Sequence, residues 1–305
     1  FDEFLEAFFT QAKQQIKLIS DVSNLRDEVF AKHLPAPYIS AFMQGCLESK
    51  RDVTAGGAKY DLSCISFINS IANLTDSLHV IKKLVFEEKY IDLPSLIKVI
   101  DNNFEGYKEL YNKIMKIEGK WGNGFEEVDD LARKVSEVLF KETYNHKNYR
   151  GGALHPVIIS MTTHTIDGRI SIATPDGRHA ASAYAASGNP YNVEKGGVTG
   201  TLRSVAAIDF RDVLGCAVNV KFHPSAIGTT AESRRKWIDL LRTYFEIGGA
   251  QMQPTVVSSE MLRDAQLHPE NYKGILVKVG GYSAYFTELG IEIQNEVIAR
   301  TEHSL

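Results

Sequence analysis

Cysteine is scarce in this chain, which has only three cysteines among 305 residues. Three cysteines cannot build a disulfide framework in a chain of this length, and their spacing is not that of metal ligands. We therefore expect a reducing, cytoplasmic environment and no bound metal. The chain also lacks any apolar run near the ~18–20 residues of a membrane span, so no membrane segment is expected.

The chain has no excess of basic residues. It carries 34 Lys and Arg against 38 Asp and Glu, a formal net charge of −4. A nucleic-acid-binding protein normally shows a basic excess or stripe, so no nucleic-acid partner is expected. Apolar residues make up 44% and charged residues 24% of the chain, which is typical of a globular protein and excludes disorder and coiled coil.

Three common catalytic motifs are also missing from the sequence. There is no phosphate loop ending in Gly-Lys-Ser/Thr, no His-Glu-x-x-His pair, and no Gly-x-Ser-x-Gly elbow. Nucleotide hydrolysis, zinc-dependent hydrolysis and serine-nucleophile chemistry therefore have no support in the sequence.

The first 150 residues are predicted to be mainly helical. Apolar residues at helical spacing open the chain over Phe1–Ser20, and further helices are predicted at Asp76–Lys89, after Pro94 and over Glu126–Lys141. A helix this apolar needs a partner, so we expect the chain to start inside a larger fold. A trimmed recombinant chain is the alternative.

Residues 151–305 are predicted to form a second domain in which strands and helices alternate. Short apolar runs between glycines, Val157–Met161 and Ala217–Phe222, indicate buried strands. Thr229 with Glu232 forms a capping-box pattern and predicts a helix start. The residues expected to face inward on that helix are Trp237, Leu240, Leu241, Tyr244 and Phe245. This alternation indicates an α/β fold.

A glycine pair, Gly280-Gly281, lies between the apolar run Ile275–Val279 and the aromatic residues Tyr282, Tyr285 and Phe286. On local grounds this pair predicts a turn that uses the conformational freedom of glycine. The same aromatic residues are expected to belong to the hydrophobic core.

A longer pattern resembles the carboxy-terminal signature of glycyl radical enzymes, the family of pyruvate formate-lyase and its dehydratase and decarboxylase relatives. The resemblance begins with Lys278-Val-Gly-Gly-Tyr-Ser-Ala-Tyr-Phe286 and continues through Ile298-Ala-Arg-Thr-Glu-His303. Further segments match in order and extend the resemblance to nearly the whole chain: Gly45-Cys-Leu-Glu48, Gly56-Gly-Ala-Lys-Tyr60, Asp76-Ser-Leu78, Asn103-Phe-Glu-Gly106, Ala173-Thr-Pro-Asp-Gly-Arg178 and Gln253-x-x-Val-Val-Ser258.

The resemblance implies the second half of an α/β barrel, with parallel strands surrounded by helices and a carboxy-terminal glycyl radical loop. It identifies Gly281 as the residue that carries the radical. Val279, Gly280, Tyr282, Tyr285 and Phe286 would form the shell that keeps water and oxygen away. The segment from about Pro254 onward is expected to be the least stable part, because it would swing out during activation.

In this family the glycyl radical takes a hydrogen atom from a cysteine, and the resulting thiyl radical attacks the substrate. Cys46, in Gly-Cys-x-Glu, is one candidate for this thiyl residue, but its surroundings resemble a segment that follows the thiyl loop. Cys46 is therefore interpreted as structural, and the thiyl cysteine is expected upstream of Phe1. Cys64 and Cys216 are expected to be buried thiols.

The resemblance also implies the partners. No cofactor would be bound, and an AdoMet-dependent, iron–sulfur activating enzyme would install the radical. The substrate would be a small molecule, and a homodimer is one expected assembly. The chain would be the carboxy-terminal part of a lyase or acyltransferase similar to formate acetyltransferase, diol dehydratase or decarboxylase. The alternatives are one chain of a split enzyme and a non-catalytic accessory subunit that supplies the radical.

Asp176 and Arg178 are candidates for polar groups in a substrate pocket, but a Pro-Asp-Gly turn is the favoured interpretation of this segment.

Overall fold

The protein is described by a computed structural model that covers residues 1–67, 71–228 and 230–304. The described residues form helices α1 to α13 and strands β1 to β7. The helices are α1 Asp2–His33, α2 Pro37–Ser40, α3 Cys46–Ser49, α4 Ile71–Ile81, α5 Leu93–Asp101, α6 Lys108–Lys116, α7 Glu126–Tyr144, α8 Thr163–Ile170, α9 Gly197–Ala206, α10 Pro224–Ile227, α11 Ala231–Glu246, α12 Ser259–Leu267 and α13 Ile291–Ala299. The strands are β1 Leu62–Ser66, β2 Ala153–Val157, β3 Asn219–Phe222, β4 Gln253–Val256, β5 Leu276–Lys278, β6 Ser283–Tyr285 and β7 Glu302–His303.

The chain divides into two compact units, and each unit is built from three segments that are separate in the sequence. Unit 1 comprises Phe1–Ser66, Glu137–Val157 and Asp212–Leu214, and unit 2 comprises the rest. The boundary at 150/151 that the sequence indicated stays a prediction.

Unit 1 contains the long helix α1 and a pair of parallel strands. Leu5 and Phe9, two of the apolar residues that open α1, are almost fully buried. The helix continues thirteen residues beyond the predicted end at Ser20 and stops before Pro35. Strand β1 pairs with β2 in parallel, with Leu62 opposite Ala153. Arg150 joins the two parts of the unit by ion pairs to Asp27 and Asp61 at 2.8 and 2.7 Å.

Unit 2 contains a parallel three-stranded sheet in the order β4-β3-β7. Its central strand β3 is completely buried, and it pairs with β4 from Asn219 opposite Gln253 onward. Strand β7 pairs in parallel on the other side, with His303 opposite Phe222. The predicted run Ala217–Phe222 is therefore confirmed as a strand, although the pairing is shorter. The predicted strand at Val157–Met161 is wrong in its bounds, since β2 ends at Val157 and only a bridge between Ile158 and Cys216 follows.

Helix α11 in unit 2 starts at a different cap from the predicted one. Thr229 lies outside the described residues, and Thr230 accepts a hydrogen bond from the Ser233 amide instead. Tyr244 is buried as predicted, whereas Phe245 is 49% exposed, which corrects the expectation that it faces inward.

An antiparallel hairpin and two helices complete unit 2. Strand β5 pairs with β6, with Lys278 opposite Ser283. The hairpin and helices α12 and α13 share one hydrophobic core cluster, and every fully buried member of it falls in a single stretch of chain. These members are Val257, Leu262, Ala265, Val277, Val279, Phe286, Val297 and Ile298.

Candidate functional site

The glycine pair stands at the tip of the β5–β6 hairpin. Beyond the last ladder pair, the Val279 amide donates to the Tyr282 carbonyl at 3.0 Å, which leaves Gly280 and Gly281 as a two-residue tip. Gly280 is buried and Gly281 is partly buried, unlike a typical exposed hairpin tip. The predicted turn at this position is confirmed, and its burial sets it apart from an ordinary surface turn.

Gly281 has a backbone conformation that favours glycine strongly. Its φ of +107° lies in a region that residues with a Cβ rarely adopt. A Cβ at this position would stand 2.6 Å from Cδ1 of Ile159 and 3.8 Å from Cβ of Ala217. The segments that follow β2 and precede β3 therefore pack directly against the glycine Cα.

Gly280 is required for a different reason, which is close approach to another backbone. A Cβ there would lie 2.1 Å from the carbonyl oxygen of Met161. The Met161 amide in turn donates to the Gly280 carbonyl at 3.1 Å. Met161 itself has a φ of +48°, unusual for a residue with a side chain. The hairpin tip is thus seated between residues 159 and 161.

The predicted shell around the glycines is only partly present in this chain. Val279 and Phe286 are completely buried, and Tyr282 packs half-buried against the same cluster. Tyr285 is 45% exposed because it alternates with Ala284 on β6 and points to the other face. Tyr285 therefore does not enclose the tip here, contrary to expectation.

A buried arginine, Arg300, binds the strand that leads into the tip. Its Nη1 donates to the Lys278 carbonyl at 2.6 Å and its Nη2 to the Val279 carbonyl at 2.5 Å. The same guanidinium binds both carboxylate oxygens of Glu296 at 2.9 and 2.7 Å. In the sequence, Arg300 stands out only as part of the family signature. Its contact with the glycine loop was not predicted.

Glu296 connects the arginine to a buried histidine. Burial by itself would raise the pKa of the Glu296 carboxyl, but the charge and hydrogen bonds of Arg300, together with the nearby His164, lower it to about 2. His164 Nε2 lies 3.6 Å from Glu296 Oε2, and its Nδ1 lies 3.0 Å from the hydroxyl of Ser160. Ser160, His164, Glu296 and Arg300 thus form a row of neighbouring polar side chains. At one end, Ser160 precedes Met161, which contacts Gly280; at the other end, Arg300 binds the carbonyl of Val279.

The three cysteines have different environments. Cys46 is buried in unit 1 at the start of α3, after Gly45 with a φ of +101°. Cys216 is buried in unit 2, where burial raises the pKa of its thiol. Cys64 on β1 is exposed, so the expectation that it is buried is wrong. Cys46 and Gly281 belong to different units, and a thiyl role for Cys46 stays a prediction.

Asp176 and Arg178 form the turn that the sequence favoured. The amide of Thr174 donates to the Arg178 carbonyl at 2.9 Å, and Gly177 between them has a φ of +97°. Both side chains are buried, and Arg178 donates to the backbone carbonyls of Ser182 and Ile172. These contacts stabilise a loop.

Unit 2 also contains a cavity of about 440 Å³, bordered by the Glu296–Arg300 pair, Tyr184, Tyr191 and Arg169.

Among the described residues, no group of three or more His, Cys, Asp or Glu is arranged to hold a metal ion. Within the same part of the chain, no helix has the length and apolarity needed to cross a lipid bilayer.

Two family models match the chain. A pyruvate formate lyase-like model matches residues 1–168, and a glycine radical model matches residues 185–287, which contain the hairpin tip. The two matches together define the class of the chain as that of the glycyl radical enzymes. The chain belongs to the pyruvate formate lyase-like family.

Named relatives are dehydratases and decarboxylases. The chain is 31% identical to trans-4-hydroxy-L-proline dehydratase of Clostridioides difficile over 100% of its own length and 38% of that protein. It is 33% identical to indoleacetate decarboxylase of Tractidigestivibacter scatoligenes over 87% of this chain and 33% of that one. The chain thus spans less than two fifths of the length of these relatives.

A solved structure agrees with the fold. The structure described for 1,2-propanediol dehydration in Roseburia inulinivorans is 36% identical and superposes with a TM-score of 0.95, covering 99% of this chain and 39% of that one. The predicted α/β class with parallel strands is confirmed, and so is the predicted family.

Proposed function

We propose that Gly281 stores a protein-based radical on its Cα. The observation that carries the proposal is the position of this residue: a partly buried glycine with a φ of +107°, packed so closely that a Cβ would overlap Ile159. The match of the glycine radical model to residues 185–287 supports it.

The chemistry requires glycine at this position. A Cα radical between an amide nitrogen and a carbonyl is stabilised by both groups when the carbon becomes planar. A Cβ would crowd that planar centre and would offer a competing hydrogen atom. The contacts of Gly280 and Gly281 leave no room for such a carbon, so the packing and the chemistry favour the same residue.

The proposed reaction moves hydrogen atoms in two steps. Homolysis of the Gly281 Cα–H bond leaves one electron on Cα when an AdoMet-dependent, iron–sulfur activating enzyme removes the hydrogen atom. The glycyl radical then takes a hydrogen atom from a cysteine thiol, which restores the Cα–H bond and leaves a thiyl radical. The thiyl radical removes a hydrogen atom from the substrate.

We place the thiyl cysteine outside this chain. Cys46 is buried and follows Gly45, where a Cβ would meet the Lys59 amide nitrogen at 2.5 Å, which supports a structural interpretation of this tightly packed segment. The share of the relatives that the chain spans, 38%, leaves room for the cysteine in the remainder of a longer polypeptide. By analogy with the named relatives, the whole enzyme is a lyase that removes water or carbon dioxide from a small molecule.

The test is anaerobic activation of the chain. It is incubated with AdoMet, reductant and an AdoMet-dependent iron–sulfur activating enzyme, and its EPR spectrum is recorded before air is admitted. An organic radical doublet, followed by cleavage at residue 281 on exposure to air, supports the proposal. Gly274→Ala is the matched control because a Cβ at 274 meets nothing within 4 Å, and this variant keeps the doublet. Absence of the doublet and an intact chain, with a glycyl radical dehydratase activated in parallel, contradict it.

A second candidate function is that of a radical-supplying chain for a separate polypeptide. An exposed apolar row on α1, formed by Leu18, Val22, Leu25 and Val29 at 45–62% exposure, is the observation behind it, since such a row is typical of an interaction surface; the remainder of a longer polypeptide would cover the row equally well. Mixing the activated chain with a relative whose own radical glycine is changed to alanine distinguishes the two. Turnover in the mixture supports the accessory role, and no turnover supports the single longer enzyme.

A further inference from the structure

The carbonyls of Lys278 and Val279 both bind Arg300, although they belong to consecutive residues. In a regular strand, successive carbonyls point to opposite sides, so one side chain cannot reach both. The chain therefore leaves the strand conformation at this point, and the guanidinium fixes the orientation of the two peptide planes that lead into Gly280 and Gly281.

Arg300 is itself held in place from behind. Glu296 binds it through two nearly parallel hydrogen bonds, the geometry that a guanidinium and a carboxylate form best. Both side chains are over nine-tenths buried, so solvent does not weaken the pair. Glu296 lies in α13, one helical turn before Arg300, which directly follows the end of this helix. If the guanidinium turned away from the hairpin, it would leave the buried carboxylate of Glu296 without its arginine partner.

We propose that Arg300 is a positioning residue for the radical glycine, which holds the hairpin tip in the closed, seated conformation until activation. This inference rests on the proposed function of Gly281 but concerns a different property, the equilibrium between a seated and a released tip. The charged Arg300–Glu296 pair stabilises the seated state, in which Met161 and Ile159 pack against the glycines.

The first test does not need a radical. Arg300→Lys keeps a positive charge beside Glu296 but replaces the planar fork by a single ammonium, which cannot span two carbonyls and a carboxylate. We expect the amides of residues 279–282 to exchange with solvent at least tenfold faster in this variant, with α4 unchanged. The control is Arg169→Lys, which changes an arginine with a 57% exposed side chain and a 3.4 Å pair to Glu292. Unchanged exchange in Arg300→Lys, or the same acceleration in the control, overturns the proposal.

A second variant tests whether the planar shape of the guanidinium, rather than its positive charge alone, holds the hairpin tip. Arg300→Ala removes the guanidinium and keeps the Glu296 carboxylate in place to bind an added cation. Millimolar methylguanidinium is expected to restore slow exchange at residues 279–282, whereas methylammonium at the same concentration is not. Equal effects of the two ions overturn the proposal.

The third test separates the positioning role from the radical itself. With activating enzyme, Arg300→Lys is expected to form the radical at least threefold faster and to lose it at least threefold faster, because a released tip is easier to reach and less protected. Unchanged rates contradict the positioning role. A wild-type chain that shows slow exchange at the tip but never forms a radical contradicts the radical on Gly281 and leaves the Arg300 contact intact.

Discussion

Ile159 closes the space beside Gly281, with its Cδ1 carbon 2.6 Å from the point where a Cβ on residue 281 would stand. The overlap is mainly with this methyl group, and Cγ1 of Ile159, 3.2 Å from the same point, would be in tight contact as well. The steric part of the glycine requirement can therefore be tested apart from the chemical part.

Gly281→Ala is expected to destabilise the chain by ~2–5 kcal/mol, from the unfavourable φ and the overlap with Ile159. Adding Ile159→Val, which removes Cδ1, is expected to recover about 1 kcal/mol because only the overlap is relieved. Urea unfolding measures both changes. No recovery in the double variant contradicts the packing described here, and neither variant is expected to give an EPR doublet.

The pH dependence of stability is expected to report on Glu296. An unfolded glutamate has a pKa of about 4.3, whereas burial, opposed by Arg300 and His164, leaves the folded value at about 2. The group therefore stabilises the fold above about pH 4.3, and this contribution is lost as pH falls towards 2. The contribution of Glu296 to the free energy of unfolding is on the order of 3 kcal/mol.

Glu296→Gln is accordingly expected to lower stability at pH 7 and to flatten its loss between pH 5 and pH 2, measured by urea unfolding at each pH. Glu292→Gln is the control, since Glu292 is 60% exposed and its Arg169 pair is long. An acid profile of Glu296→Gln that matches the wild type contradicts this expectation.

Thiol labelling is expected to distinguish the three cysteines. A charged disulfide reagent is predicted to modify one thiol per native chain, at exposed Cys64, and all three in denaturant. Cys216 is expected to be the slowest, because it is buried and burial raises its pKa. Peptide mass mapping identifies the site, and rapid labelling of Cys46 in the native chain would show that its packing is wrong.

Hydrogen exchange is expected to show that the hairpin and its two helices open as one unit. Their core cluster is formed by a single stretch, Val257 to Ile298, so it can separate without breaking its own contacts. We predict that amides of β5, β6 and α13 share an opening free energy below that of the buried helix α4. Protection of this region equal to that of α4 is the contrary result.

The sequence predicted the elements that local pattern determines. Helix α5 begins at Leu93, next to the predicted start at Pro94, and α7 begins at the predicted Glu126. The turn at Gly280-Gly281 followed from the permissive backbone of glycine, and its proposed role from a family signature. These features depend on neighbouring residues, so a single sequence contains them.

Contacts between distant segments could not be predicted in the same way. The bond from Arg300 to Val279 spans 21 residues and requires the whole hairpin to fold back on α13. Ile159 and Met161 meet the glycines across more than 100 residues, and nothing in their own sequence marks this contact. The exposure of Tyr285 depended on which face of β6 packs inward, which an aromatic run does not specify.

The continuity of the core cluster between residues 257 and 298 also bears on protein engineering. A stretch that contains its own packing can be exchanged between homologous genes as a cassette, with few mismatched side chains at its borders. The contacts to preserve at its borders would be the seat at Ile159 and Met161, the approach of His164 to Glu296, and the bonds of Lys221 to Ser259 and Ile298. Chimaeras joined just before residue 257 would therefore inherit the hairpin, its glycines and its arginine together.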